Sequence, residues 1–206
     1  MILASASPRR RELLASLGLT FTVDPSGIDE ALEAGLPPED QVSALALAKA
    51  AEVAARSGPA DLIIAADTLV VLGGTVLAKP SAAPEAEQML RSLRAREHLV
   101  VTGVAVLTAG TAARAESRTT RVWMRDYGDA EITSYAASGE PLDKAGGYAI
   151  QDVRFHPVER IDGCYCNVVG LPLGLLLRLL AQAGLDWRAQ RPTQCAACPD
   201  WESPVA

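Results

Sequence analysis

At 206 residues the chain is long enough for one sizeable domain or two small lobes sharing a core. Hydrophobic residues make up 49% of it, which excludes a disordered chain, and aromatics only 4%, so the core must rest on Ala, Leu, Val and Ile. The net charge of −6 argues against non-specific grip on nucleic acid and leaves room for a small anion in a local basic pocket.

Residues 1–4 read as a short strand. Ser5 and Ser7 follow, and Pro8 stands where a helix begins, a place that suits its fixed φ and missing N–H. Leu13, Leu14 and Leu17 form the apolar face, and Gly18 stops the helix. The first turn carries Arg9, Arg10 and Arg11, so free N–H groups, hydroxyls and guanidinium forks together suit an anion. Ordinary solvated arginines are the competing reading. Residues 20–23 alternate like a second strand, and Asp29 and Glu30 lie in the loop beyond it. A helix starts at Pro37-Pro38-Glu39-Asp40 and runs to Gly58-Pro59. Lys49 stands four residues from both Leu45 and Val53, where it either snorkels to water or points into a cleft.

The continuous apolar run at 62–66 marks a buried strand. It is expected to end at Asp67-Thr68, resume over 69–72, turn at Gly73-Gly74 and return to Lys79-Pro80. A carboxylate at a core strand end, with a lysine carried back across a hairpin, is a catalytic geometry. A capping Asp and a surface Lys are the plainer alternative. A helix over 81–95, a strand over 98–108 broken at Gly103, a turn at 109–111 and a strand over 112–124 follow. Asp129 then caps a helix over 130–138. Asp143-Lys144-Ala145-Gly146-Gly147 leads into a short strand ending on Gln151, its glycines permitting close backbone approach to a ligand. A strand over 158–161, a turn at Asp162-Gly163 and a helix over 173–183 complete the order, which predicts α/β with a mixed sheet.

No segment reaches the ~18 apolar residues of a membrane span, and the first residues lack the basic-then-apolar order of a signal peptide. The expectation is a cytoplasmic protein. The cysteines fall as Cys164-x-Cys166 and Cys195-x-x-Cys198. Four thiolates could in principle bind zinc, but a zinc ribbon wants two Cys-x-x-Cys pairs, so these are read as reduced and dispensable thiols, with a zinc-bearing interaction tail at Cys195 and Cys198 as the alternative. Residues 1–187 read as one domain and 188–206 as a polar tail with Pro and Cys, loosely ordered. Neither a phosphate-binding Gly-x-x-x-x-Gly-Lys-Ser/Thr loop nor Gly-x-Gly-x-x-Gly after a strand is present, and His98 and His156 lack a triad or zinc pattern.

Ser7, Arg9, Arg10, Glu30, Lys49, Asp67, Thr68, Lys79, Asp143, Lys144 and Gln151 cluster at expected strand ends and helix starts, where α/β folds place ligands. The cations suit a polyphosphate and the acids suit Mg²⁺. Gln151 offers a donor and an acceptor to a base edge. Together they point to metal-assisted hydrolysis of a phosphoanhydride.

An ordered set of motifs carries this further. Ser5-Ala6-Ser7-Pro8-Arg9-Arg10 with Glu12-Leu13-Leu14, Ile28-Asp29-Glu30, Leu47-Ala48-Lys49-Ala50, Ala66-Asp67-Thr68, Lys79-Pro80, Asp143-Lys144-Ala145-Gly146, Ile150-Gln151, Ile161-Asp162-Gly163 and Val169-Gly170-Leu171-Pro172 stand in sequence from residue 1 to about 184. This set resembles the Maf family of nucleotide pyrophosphatases, and Asp67-Thr68 with Asp143-Lys144 and Gln151 resembles its dTTP/UTP subfamily.

The resemblance implies a mixed, twisted central sheet flanked by helices, in two lobes with a cleft, of the Maf/ITPase-like kind. It implies hydrolysis of a nucleoside triphosphate to a monophosphate and pyrophosphate. Asp67 would be the proton acceptor; Arg10, Thr68 and Gln151 the specificity positions; Ser7, Lys49 and Lys79 the phosphate holders. Glu30 and Asp67 would bind a divalent metal, Mg²⁺ or Mn²⁺. The expected partner is the nucleotide, with no nucleic acid and no membrane. Members often form homodimers. The alternative reading is a nucleotide-binding regulator of cell division and septum formation. The chain departs from the family's pattern at Ala149 and Asp152 around Ile150-Gln151, and at Gly103, where alanine is common.

Overall fold

The computed structural model describes residues 1–33, 35–59, 61–108, 112–185, 192–195, 198 and 201. The chain runs β1 (Ile2–Leu3), α1 (Pro8–Ala15), β2 (Thr22–Val23), α2 (Pro38–Ala54), β3 (Leu62–Leu72), β4 (Thr75–Leu77), α3 (Ala83–Leu93), β5 (Glu97–Thr108), β6 (Arg114–Met124), α4 (Asp129–Ala137), β7 (Val158–Asp162), α5 (Tyr165–Val169) and α6 (Leu173–Gln182). The strands form one mixed sheet in the order β2-β1-β3-β5-β6-β7, with β4 paired to the far half of β3. The first three pair in parallel, and β3 meets β5 antiparallel.

Side-chain alternation along β3 decides where everything else packs. Ile63 and Ala65 face α2, where small residues, Ala46 and Ala50, let the helix lie close. Leu62, Ile64 and Ala66 share a core with Leu13 and Leu14 of α1 and with Leu173, Leu176 and Leu179 of α6. Farther along that second face, Val70 and Leu72 join Leu90 and Leu93 of α3 and Ile132 of α4. Thr68 falls between these two cores, so the lobes part at mid-strand.

The structure corrects several expectations. Strand β3 does not end at Asp67-Thr68 but passes through it, because both side chains find partners described below. Gly103 does not break β5: a Cβ there would meet the Val42 carbonyl oxygen of α2 at 2.2 Å, so glycine admits the helix. No strand precedes Gln151. Two short 3-10 turns, Glu140–Asp143 and Ala145–Gly147, bring the chain there instead. Gly146 and Gly147 have φ of +71° and +70°, which an extended strand cannot use, and the Gly146 N–H donates to Ala78 O at 3.1 Å. Gln151 then lies in a turn whose Asp152 Oδ1 accepts from the N–H groups of Arg154 and Phe155.

Helix α4 is capped from Gly128, whose N–H donates to Glu131 Oε2 (2.8 Å), while Asp129 instead bonds Arg94. Helix α5, only five residues long, has no counterpart in the elements expected from sequence. The turn expected at 109–111 lies outside the described residues, as does most of the tail. Of that tail, Cys195 and Cys198 are buried in the α1/α6 core, and Cys195 is joined to Cys166 as a disulfide, so the cysteines are neither all reduced nor loose appendages. Among the described residues no helix is long and apolar enough to cross a membrane.

Candidate active site

Asp67 sits at the centre of β3, opposite Gly103, and is 5% exposed. A buried carboxylate needs a partner. Helix α2 supplies it: Lys49, also 5% exposed, donates from Nζ to Asp67 Oδ1 at 2.5 Å and to Glu30 Oε1 at 2.6 Å. The lysine face that sequence left open between water and cleft thus turns inward. Glu30 reaches in from the loop before α2 and also accepts from Lys79 Nζ at 3.3 Å. Desolvation raises the Glu30 pKa, but Lys49 and Lys79 outweigh it, and the carboxyl is held below its ordinary range.

On the other face of β3, Arg10 is locked in three directions. Its Nε donates to Gly170 O (2.8 Å), Nη1 to Ser5 Oγ (3.2 Å) and Nη2 to Thr68 Oγ1 (3.0 Å). Burial lowers its pKa, while Asp67 and Glu30 raise it. Thr68 continues the chain of bonds. Thr102 Oγ1 donates to Asn167 O (3.0 Å), so its hydrogen is committed, and the 3.0 Å contact between Thr68 and Thr102 must carry the Thr68 hydrogen. The order is therefore Arg10 to Thr68 to Thr102 to Asn167. Thr68 Oγ1 is left with one lone pair and no hydrogen to offer. Asn167, fully buried, is itself tied by Nδ2 to Val100 O and Thr120 Oγ1, both at 2.9 Å.

These walls enclose a cleft with about 740 Å³ of empty space, part of it open to solvent. Ser7, Arg10, Glu30, Asp67, Thr68, Lys79 and Gln151 all line it. Lys49 does not line it and acts through Asp67 and Glu30. Ser7 is the N-cap of α1, accepting from Arg10 N at 3.4 Å. Gln151 is exposed at the rim. The remaining candidates are paired with each other: Arg9 donates to Asp143 Oδ2 (2.9 Å) and Lys144 to Asp143 Oδ1 (2.6 Å) and the Glu140 carbonyl. Asp143 is held below its ordinary range, Lys144 and Arg9 overcoming desolvation. Arg11 is exposed.

Sequence reading missed Thr102 and Asn167, which back Thr68, and the pair His98–Tyr148, whose Nε2 and hydroxyl lie 2.7 Å apart behind the cleft. Thr102 would have been visible only from its pairing with Thr68 across β3 and β5.

Glu30 and Asp67 are the carboxylates of the expected metal site, and the point on which they converge is the Lys49 ammonium. Among the described residues no group of three or more His, Cys, Asp or Glu could hold a metal, so a divalent ion here would need phosphate oxygens and water to complete its shell.

Mixed sheet, two cores and a charged cleft between them define a small-molecule enzyme of the α/β class. The model of the family described as Maf-like protein matches residues 1–183, and the chain belongs to the Maf family. A dTTP/UTP pyrophosphatase of Thermomicrobium roseum is 54% identical over 205 residues, covering 97% of this chain and 93% of that protein. One of Moorella thermoacetica is 52% identical over 188 residues, covering 90% and 96%. Among solved structures, the Staphylococcus aureus Ham1 protein is similar at a TM-score of 0.43 and 15% identity, over 62% of this chain and 73% of that one.

Proposed function

We infer that this enzyme is a nucleoside triphosphate pyrophosphatase acting on dTTP and UTP, releasing the monophosphate and pyrophosphate. The relatives carrying that name match the chain over nearly its full length. The observation that carries the base preference is the state of Thr68. With its hydrogen given to Thr102 and one lone pair taken by Arg10, it offers a single acceptor to the cleft. Thymine and uracil present an N3–H donor; cytosine presents a bare N3 acceptor, which would leave two acceptors facing one another. Gln151 at the rim can turn its amide to the remaining base edge.

In this reading Asp67 is the general base. Lys49 holds Oδ1, and Oδ2 takes the proton as water attacks the α-phosphorus. Lys79 and the N-terminus of α1 at Ser7 stabilise charge on the departing pyrophosphate, while Lys49, expected as a phosphate holder, acts through Asp67 and Glu30. Arg10, fixed by Gly170 and Ser5, keeps the specificity wall rigid and has two N–H donors left for substrate. Glu30 and Asp67 would hold Mg²⁺ or Mn²⁺, which would neutralise phosphate charge. Residues 1–187 carry the catalytic domain and 188–206 a tail. The enzyme works on free nucleotides in the cytoplasm, as a homodimer, without nucleic acid or membrane; a net charge of −6 supports this choice of partner.

The test is a panel of canonical and base-modified triphosphates with Mg²⁺ or Mn²⁺, reading pyrophosphate against phosphate. Pyrophosphate from dTTP and UTP, with CTP poor, is expected. No pyrophosphate from any member sinks the reading. If Asp67→Asn kept its effect on cell division while losing turnover, a regulatory role would replace it.

A further inference from the structure

All four cysteines of the chain meet in one place, in the α1/α6 core, and none of them lines the cleft. Cys164 is the N-cap residue of α5 and Cys166 lies in its first turn. Cys195 closes a 3-10 turn, Thr193–Cys195, and the Cys198 N–H donates back to Cys195 O at 2.9 Å. Cys166 and Cys195 are joined as a disulfide, and Cys164 and Cys198 are thiols whose sulfurs lie 3.2 Å apart. Each member of the Cys-x-Cys pair thus touches one member of the Cys-x-x-Cys pair. None of the four is more than 4% exposed.

Four sulfurs gathered from two short segments, all buried and in contact in pairs, form a compact cluster at the junction of α5 and the tail.

We propose that the reduced chain binds one Zn²⁺ through Cys164, Cys166, Cys195 and Cys198, as a structural centre that staples the tail to the core. Four thiolates with no open position make a closed, soft site of the kind that selects zinc. Zn–S bonds of about 2.3 Å set the sulfurs of a tetrahedron about 3.8 Å apart. The Cys164 and Cys198 sulfurs, at 3.2 Å, then open by about 0.6 Å. With Cys166 and Cys195 joined, no group of three or more His, Cys, Asp or Glu among the described residues stands ready for a metal, so binding starts from the reduced chain. A dithiol reductant supplies two electrons and two protons to that bond and is itself oxidised to a disulfide. Zn²⁺ then displaces the four thiol protons to solvent.

The centre would lie directly behind the specificity wall. The Cys164 N–H donates to Thr120 Oγ1 at 3.1 Å, and Thr120 Oγ1 accepts from Asn167, whose carbonyl holds Thr102.

The test uses the full-length chain, reduced, stripped of metal, mixed with one equivalent of Zn²⁺ or Co²⁺ and desalted under reducing conditions. One zinc per chain is expected, with four thiols unreactive until the protein is denatured with chelator. The Co²⁺ form should show sulfur-to-cobalt charge transfer and the visible bands of a tetrahedral thiolate site. Cys198→Ser should lose the metal, whereas Asp67→Asn should keep it. The proposal is overturned if the reduced chain retains no zinc while its four thiols react freely. Zinc held by Cys198→Ser as firmly as by the parent also overturns it. The parent's metal content decides the matter even if the serine variant fails to fold.

Discussion

Lys49 Nζ lies 2.5 Å from Asp67 Oδ1, and each side chain is only 7% exposed. A charge in that position is tolerated because the other is there. The pair lets a strand of core residues carry a carboxylate at its midpoint, and it leaves one oxygen of that carboxylate to accept a proton.

Removing either partner should separate stability from chemistry. Lys49→Met strands a buried carboxylate and should cost about 3–5 kcal/mol in urea unfolding. Asp67→Asn leaves Lys49 with Glu30 at 2.6 Å and should cost less. Its kcat should nevertheless fall by about 10²–10⁴, with nucleotide binding kept in calorimetry. Equal destabilisation by both variants would contradict the picture.

Asn167→Ala removes two donors and leaves the Val100 carbonyl and the Thr120 hydroxyl oxygen short of a partner. A loss of about 2–3 kcal/mol is expected. Because the Asn167 carbonyl anchors Thr102, and through it Thr68, KM for dTTP should rise more than kcat falls, and discrimination against CTP should relax. A stable shift in unfolding with KM unmoved would mean the network only packs.

Gly103→Ala should destabilise by about 1–3 kcal/mol or more, since its Cβ would lie 2.2 Å from the Val42 carbonyl oxygen. Gly27, where nothing lies within 4 Å of an added Cβ, is the control, and Gly27→Ala should be nearly neutral. Chemical denaturation of both variants checks this.

Burial holds the His98 imidazole at about 4, against ~6.5 in an unfolded chain. Between those values the unfolded state binds the proton and the native state does not. Stability therefore falls as pH drops from about 6.5, and this contribution is fully lost near pH 4, at about 3 kcal/mol. His98→Gln keeps a polar partner for the Tyr148 hydroxyl and should flatten that part of the pH profile. Urea midpoints from pH 7 to pH 4 in both proteins decide it; identical slopes would refute the assignment.

What could be read from sequence followed the range of the interactions. The hairpin at Gly73-Gly74 and the helix over 38–54 depend on neighbours in the chain, and both appear where expected. At Asp67-Thr68 the local pattern predicts a strand end, because a charge inside an apolar run usually ends it. The partners that keep it there, Lys49 and Arg10, stand 18 and 58 positions away. Gly146 lies against the Val70 side chain with a left-handed φ, and the residues from Tyr148 to Gln151 that follow form no strand. The candidate residues came as much from family resemblance as from local pattern. Lys49 and Glu30 have no local signal that they would share a partner. The cysteines looked dispensable because spacing alone cannot show that sulfurs 29 and 34 positions apart come into contact.

The bond from Arg10 Nε to Gly170 O joins groups 160 positions apart. At a synthesis rate of about 5–20 residues per second, the arginine emerges some 10–30 s before the carbonyl that fixes it. A nascent chain short of Gly170 therefore holds Arg10 only through Ser5 and Thr68, and its third bond waits for the turn that opens the last helix. The guanidinium gains its full orientation only when nearly the whole domain has been made.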